Sequence, residues 1–291
     1  MKPGLARLQV VAAAILFSTG GAGIKAAAFS GVQVSALRSG LAAVVLMLFV
    51  RGRLTASAPV LGVSLVYSAT LTFFVLGTKL TTAANAIFLQ STYPLYVLLL
   101  SPFFLGERIS RRDILYLTAV AAGLVLCVIG SPAATTTAPN PTLGNVLAML
   151  SGLAWALTLL GLRYVERDAP AGSPAMSAVI AGNVFASLVA LPFAWPMPNA
   201  SPTEWATLVY LGVFQIGLAY ICLTKAVGQL PALDVSLLLL LEPVLNPMWA
   251  WLVRRERPDT WTIAGGAIII AVTALKSIYE AYALRPRDAI V

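Results

Sequence analysis

The sequence predicts an all-α fold: a polytopic membrane protein of ten transmembrane helices, arranged as two inverted five-helix repeats around a central cavity. Three observations predict it. Hydrophobic residues make up 59% of the 291-residue chain and charged residues only 10%, well below the roughly 25% of an ordinary soluble domain. Long stretches carry no charge at all, as between Arg53 and Lys79, Lys79 and Glu107, Asp113 and Arg163, and Asp168 and Glu204. Each can hold at least one run of the roughly 20 apolar residues that a bilayer crossing needs. Third, one unusual pattern occurs twice. An apolar run is broken by Pro94 and followed at Glu107 by Glu-Arg; another is broken by Pro243 and followed at Glu256 by Glu-Arg.

The spans are taken in order. The first, 5–25, follows Lys2 and Arg7 and ends at Lys25, with "GGAG" at residues 20–23 suited to close helix contact. Its basic flank loosely imitates a signal peptide, but a partner in the second half argues for a retained span. The second, 33–50, carries Arg38, which could pair with an acid or reach outward to the interface; the sequence offers no evident partner. The third is 60–79. The fourth, 83–105, contains Pro94, and the fifth is 112–130. The uncharged stretch "SPAATTTAPNP" is too rich in Pro, Thr and Asn for a helix and separates the halves. Then come 142–162, 174–195, 204–226, 232–253 with Pro243, and 260–281 with Gly265 and Gly266.

A shift of 149 residues superposes Asn85 on Asp234, Tyr93 on Glu242, Pro94 on Pro243 and Glu107 on Glu256. A shift of 138 places Phe17 on Trp155 and Lys25 on Arg163. Five is odd, so a second copy crosses the membrane in the opposite sense, the plan of many secondary transporters. The units are 4–131 (first five-helix repeat), 132–141 (extracytoplasmic linker), 142–281 (second five-helix repeat) and 282–291 (cytoplasmic tail). With both termini in the cytoplasm, 13 of the 19 basic residues fall on that side, which fits a plasma-membrane (inner-membrane) protein.

The net charge of +8 is spread over short loops, as topology signals are, so nucleic-acid binding is rejected. Histidine is absent, which removes most metal-site and catalytic-triad chemistry; no metal, cofactor or catalytic residue is expected, and the chain does not read as an enzyme. Cys127 and Cys222 lie in apolar runs and read as small core residues. The expected partners are the lipid bilayer and a small-molecule substrate.

Candidate binding residues follow from what hydrocarbon forbids. Pro94 and Pro243, read as helix kinks, each free a carbonyl four residues earlier, at Gln90 and Leu239. Glu242 is an acid inside an apolar run, costly unless it faces a cavity or a partner. Glu242, Asn246 and Trp249 share one stripe of a helix, and Gln90 and Tyr93 share another. Trp155, unlike tryptophans near span ends, lies mid-span, with Ser151 and Thr158 on the same face. Tyr67, Phe74 and Tyr220 could line the same space, although each taken alone is more often packing. Proton coupling would fall to Glu242 and Asp234; the alternative is facilitated diffusion.

The repeated "GER" and "RER" after a broken apolar helix, the glycine-containing final spans, "LLEP" at residues 240–243 and Trp155 resemble the EamA branch of the drug/metabolite transporter superfamily. Chain length, "STYP" before the fourth-span kink, Trp155 and the tyrosine-rich interior are similar to the YddG-type exporters of aromatic amino acids. The resemblance implies a ten-helix basket whose cavity is lined by spans 1, 3, 4, 6, 8 and 9. It implies alternating access and export of amino acids, aromatic ones included, or related amphipathic metabolites. Tyr93, Pro94 and Trp155 would lie at the cavity. Many relatives carry tryptophan where Tyr93 stands, which points to a broader amino-acid range. The alternative is an exporter of drugs or quaternary cations, using aromatic walls and Glu242.

Overall fold

The computed structural model describes residues 3–50, 54–104, 111–130, 133–166, 174–227, 238–239 and 241–283. Among them the secondary structure is helical throughout, with no strand. The helices are α1 (Pro3–Ser18), α2 (Gly20–Ala26), α3 (Gly31–Phe49), α4 (Ala58–Leu80), α5 (Ala83–Gln90), α6 (Tyr93–Phe104) and α7 (Arg111–Ile129). The second half holds α8 (Pro141–Glu166), α9 (Pro174–Ala190), α10 (Pro202–Tyr210), a π-helical segment (Leu211–Leu218), α11 (Ala219–Val227), α12 (Leu241–Arg254) and α13 (Thr260–Ala283). Local chemistry sets the starts. Ser30 with Gln33, and Ser201 with Glu204, form reciprocal capping boxes, and the Thr82 hydroxyl accepts from the Asn85 amide.

Seven helical stretches are long and apolar enough to cross a bilayer, from Gly4–Ala26 to Pro202–Leu223, and Thr260–Lys276 is a shorter apolar helix. The protein is therefore a multi-span membrane protein. The fourth predicted span is not one continuous helix. It breaks at Ser91 and Thr92, and Pro94 becomes the second residue of α6 instead of a kink inside a longer helix. That position suits proline, whose missing N–H is an unbonded group of the first turn in any case. In the ninth, Pro243 lies in the first described turn of α12 and is buried, while the interior proline is Pro247. The first predicted span is interrupted at Thr19, where α1 passes into α2.

The packing partners exchange between halves. α4 packs on α8, and α11 on α1; α4 packs on α9, and the π segment on α3; α5 packs on α8, and α12 on α1 and α2. α3 meets α9, α5 meets α12, and α7 meets α13. At the last crossing a Cβ built on Gly123 would lie 2.8 Å from the Gly265 carbonyl, so the two backbones touch as only small residues allow. Gly20 similarly admits the Gln215 amide, and Gly21 admits Asn246.

One end of the bundle is tied by buried polar groups. The Lys25 ammonium donates to the carbonyls of Thr81 and Thr137 and lies 3.8 Å from the Glu256 carboxylate, with side chains 3% and 5% exposed. Glu256 accepts from the Ala83 amide at the start of α5, and Lys79 donates to the Ala27 carbonyl. Thr262 donates to Asn85 and to the Gly130 carbonyl, and Thr81 donates to Asn145. This joins the ends of α2, α4, α7 and α12 to the starts of α5, α8 and α13. The Gln33 amide, at the start of α3, donates to the carbonyls of Ala194 and Pro196 beyond α9. Burial pushes the Glu256 carboxyl up from its ordinary range, with Lys25 pulling the other way.

Candidate functional site

The interior of the bundle gathers an aromatic group. The rings of Tyr67 on α4 and Tyr220 on α11 pack edge to face at 5.8 Å. Trp155 on α8 lies 6.3 Å from Tyr67, and Phe17 on α1 lies 5.2 Å from Tyr220. Tyr67 and Tyr220 are buried, whereas Trp155 and Phe17 keep partial exposure. Three of the four (Tyr67, Trp155 and Tyr220) are residues that the sequence singled out, and they come from three separate helices. Phe74 goes elsewhere: it packs with Phe29, Ile87, Phe88 and Leu208 in a second cluster nearer the tied end.

Polar groups border the aromatic ones. Arg38 on α3 is 3% exposed, so it does not reach outward to the interface. Its Nε donates to the Gln215 carbonyl oxygen at 3.1 Å, and the Gln215 amide donates to the Phe17 carbonyl at 3.3 Å. The Arg38 charge is felt by Tyr67, Tyr220 and Glu242. Glu242 on α12 acts electrostatically on Arg38, Tyr93 and Tyr220, but makes no hydrogen bond or ion pair among the described residues. The residue as a whole is half-buried. Asn246, one turn further on, is fully buried with neither amide atom hydrogen-bonded. Trp249, the third member of that stripe, donates to the Ser18 hydroxyl at 2.9 Å.

Gln215 lies in the π-helical segment. A π turn widens the helix, and such turns are frequent at functional sites. Here it sets Gln215 between Gly20, the Phe17 carbonyl and Arg38.

The residues around the fourth-span break are held differently. Gln90 donates to the Ser151 hydroxyl at 2.8 Å, which in turn donates to the Thr70 carbonyl at 3.0 Å. The Gln90 carbonyl lies over Gly152, where an added Cβ would come within 2.9 Å, so α8 covers the break closely. Thr158 is fully buried, donates to the Ala154 carbonyl and meets Thr70 at 3.4 Å. It serves the α4–α8 contact. Tyr93 is half-buried. Asp234 lies outside the described residues, and so does the first Glu-Arg at Glu107 and Arg108.

A cleft of about 860 Å³ lies apart from this cluster, between α12 and α13. Phe88, Val244, Met248, Trp251, Ile263 and Ile270 make it apolar. It suits lipid chains better than a polar solute, so the polar interior cluster is the stronger candidate for a substrate site. Among the described residues no group of three or more His, Cys, Asp or Glu could hold a metal ion.

The model of the EamA-like transporter family matches the sequence twice, over residues 5–129 and 142–278. The chain belongs to the EamA-like transporter family. Among curated proteins it is 31% identical to the pseudopaline exporter CntI of Pseudomonas aeruginosa over 189 residues, 64% of this chain and 63% of that one. It is also 29% identical to an uncharacterized transporter of Archaeoglobus fulgidus over 72% of this chain and 71% of the relative. A solved crystal structure superposes with a TM-score of 0.63 at 21% identity, covering 96% of this chain and 98% of the other. At that identity the likeness speaks for the fold. The family is one of transporters.

Sequence reasoning missed three of the interior groups. Gln215, Ser18 and the role of Phe17 were unremarked, and Arg38 was left without a partner. Arg38 and Gln215 are 177 residues apart, so only the folded arrangement joins them. The available signal was a cation and an amide, each deep in an otherwise apolar run.

Proposed function

We propose that the protein is a secondary transporter of the inner membrane that exports amino acids, aromatic ones included, or related amphipathic metabolites. The observation that carries this reading is the meeting of Tyr67, Trp155, Tyr220 and Phe17 in the bundle interior, with the Glu242 charge acting on Tyr220. An amphipathic solute needs an apolar wall beside convergent polar groups, and this cluster offers both. Trp155, Tyr67 and Tyr220 stack the side chain; Glu242 and Asn246 take the polar end. Tyr93 borders this site at the fourth-span break, whereas Gln90 and Thr158 act behind it by tying the break and α4 to α8, and Phe74 belongs to the cluster nearer the tied end. That a curated relative is an exporter supports the direction of transport.

Transport proceeds by alternating access of two inverted five-helix repeats, residues 4–131 and 142–281, joined by the 132–141 linker, with both termini and the 282–291 tail in the cytoplasm. The exchange of packing partners between halves and the twofold match of the family model support the repeat. The gathering at one end of the ends of α2, α4, α7 and α12 with the starts of α3, α5, α8 and α13 supports its inversion, since the first half begins away from that end and the second begins at it. The breaks at Thr19 and at Ser91–Thr92 supply discontinuous helices of the kind that build midplane sites.

A second reading, export of drugs or quaternary cations, is favoured by one observation: a carboxylate at Glu242 that makes no ion pair among the described residues and whose charge acts on Tyr220. Purified protein in liposomes, preloaded with labelled amino acids, separates the two. Efflux of amino acids with no competition by a cationic dye supports the first; dye transport without amino-acid efflux overturns it.

A further inference from the structure

Arg38 is out of place if its role is structural. A guanidinium carries five N–H donors in a rigid fork made for carboxylates. Here only Nε has a hydrogen-bond partner, Gln215, and neither terminal nitrogen makes a hydrogen bond or ion pair among the described residues. A charged group only 3% exposed, most of whose donors go unused among the described residues, is costly, because buried charges ordinarily find partners. The acid that feels it, Glu242, makes no ion pair with it among the described residues and is half-buried. Tyr67 and Tyr220 pack edge to face at 5.8 Å, and the charges of both Arg38 and Glu242 act on Tyr220. Beside Glu242, Asn246 keeps both amide atoms unpaired.

The lock on Nε matters. Gln215 is itself pinned by the Phe17 carbonyl and seated against Gly20, so the guanidinium plane is held by a residue of the π segment. That leaves the outer edge of the fork, its two terminal nitrogens, available for a two-oxygen ligand. An arginine that merely balanced Glu242 would contact it.

We infer that Arg38, oriented by Gln215, is the carboxylate anchor of the substrate site, opposite Glu242 as the anchor for a substrate ammonium group. The site therefore selects zwitterions whose charged ends are separated and whose side chain lies on Trp155 and Tyr67. This rests on the proposed transport of amino-acid-like solutes and sharpens it: a quaternary cation lacking a carboxylate would leave Arg38 uncompensated.

The test measures binding to purified protein in lipid nanodiscs by calorimetry, with four probes that share a phenyl group. These are L-phenylalanine, L-phenylalaninamide (no carboxylate), 3-phenylpropionate (no amine) and phenethylamine (amine alone). L-Phenylalanine is expected to bind roughly ten- to a hundredfold more tightly than its amide, the range set by charged hydrogen bonds. Arg38→Gln should bring the acid down to the affinity of the amide and leave the amide unchanged. Equal affinity of acid and amide for the wild-type protein overturns the inference, as does an Arg38→Gln variant that keeps the wild-type preference. Where Arg38→Gln does not yield folded protein, Arg38→Lys carries the test: an ammonium lacks the fork, so the acid preference must shrink, and an unchanged preference overturns the idea. If L-phenylalanine fails to bind while 3-phenylpropionate binds in an Arg38-dependent way, the anchor stands and the amino-acid reading falls. If no probe binds, both fall.

Discussion

Removing the Lys25 ammonium should destabilise the protein more than neutralising its acidic partner. The pair is 3.8 Å apart, which corresponds to about 4 kcal/mol of attraction at an effective dielectric constant of about 20. Desolvation offsets much of that, since both side chains are about nineteen-twentieths buried or more. What remains is asymmetric. In Lys25→Met, the Glu256 carboxylate keeps only the Ala83 amide, and the carbonyls of Thr81 and Thr137 lose a donor. Losing one member of a buried pair costs about 3–5 kcal/mol. In Glu256→Gln, the new side chain still accepts from Ala83 and Lys25 keeps both carbonyls, so a loss of about 1–3 kcal/mol is expected. The double variant removes both charges together and should lose less than the sum, with a coupling of at least about 1.5 kcal/mol. Equilibrium unfolding in mixed micelles measures all four corners of the cycle. Additivity within about 0.5 kcal/mol would mean that the two groups do not act as a pair, and the reasoning fails.

Other outcomes follow from the same geometry. Trp155→Ala should weaken binding of an aromatic substrate by about tenfold, read from efflux saturation, because one stacked ring is worth about 0.5–1.5 kcal/mol beyond its area. Gly265→Val pushes a side chain into the Gly123 carbonyl and Cys127, so the α7–α13 contact should loosen by about 1–3 kcal/mol in the same unfolding assay. The folded protein holds the Glu256 proton more tightly than the unfolded chain does, so this group favours the fold most at low pH and less as pH rises through its raised value; thermal melts across the acidic range should show that decline, and Glu256→Gln should flatten it. Glu242→Gln should abolish pH-driven uptake in liposomes if the proton is the coupling ion, while unchanged pH dependence assigns coupling elsewhere or to none.

Much of the architecture was readable because hydrocarbon is an unforgiving solvent. The charge-free runs ending at Lys79, Glu107 and Arg163 announced spans, and the glycines at residues 20–23 do allow close approach, with Gly20 against Gln215 and Gly21 against Asn246. Pro94 marked the right neighbourhood, but periodicity could not tell a kink from a complete break, because proline is as comfortable in a first turn as it is disruptive in a middle one. Asn246 and Trp249 were placed on one stripe from spacing alone, yet only the fold puts Ser18 under the indole. Phe74 and Trp155 both read as candidate wall residues in sequence, Trp155 the more strongly. Their fates differ because α4 presents Tyr67 and Phe74 to different neighbours, Trp155 in one case and Phe29 and Phe88 in the other. Arg38 was visible as an anomaly, and its meaning needed Gln215.

The extra residue in the π turn has a consequence for comparing the two halves by eye. Inserting one position into a regular helix rotates everything beyond it by about 100°. The wide turn absorbs that offset, so Tyr220 still faces Tyr67 and Phe17, whereas continuous α4 has no such turn. A deletion of one residue within Leu211–Leu218 would restore a regular spiral and leave Tyr220 on the same side, because the position removed is the one the wide turn absorbs; this stretch should therefore tolerate a single deletion better than the regular turns on either side of it.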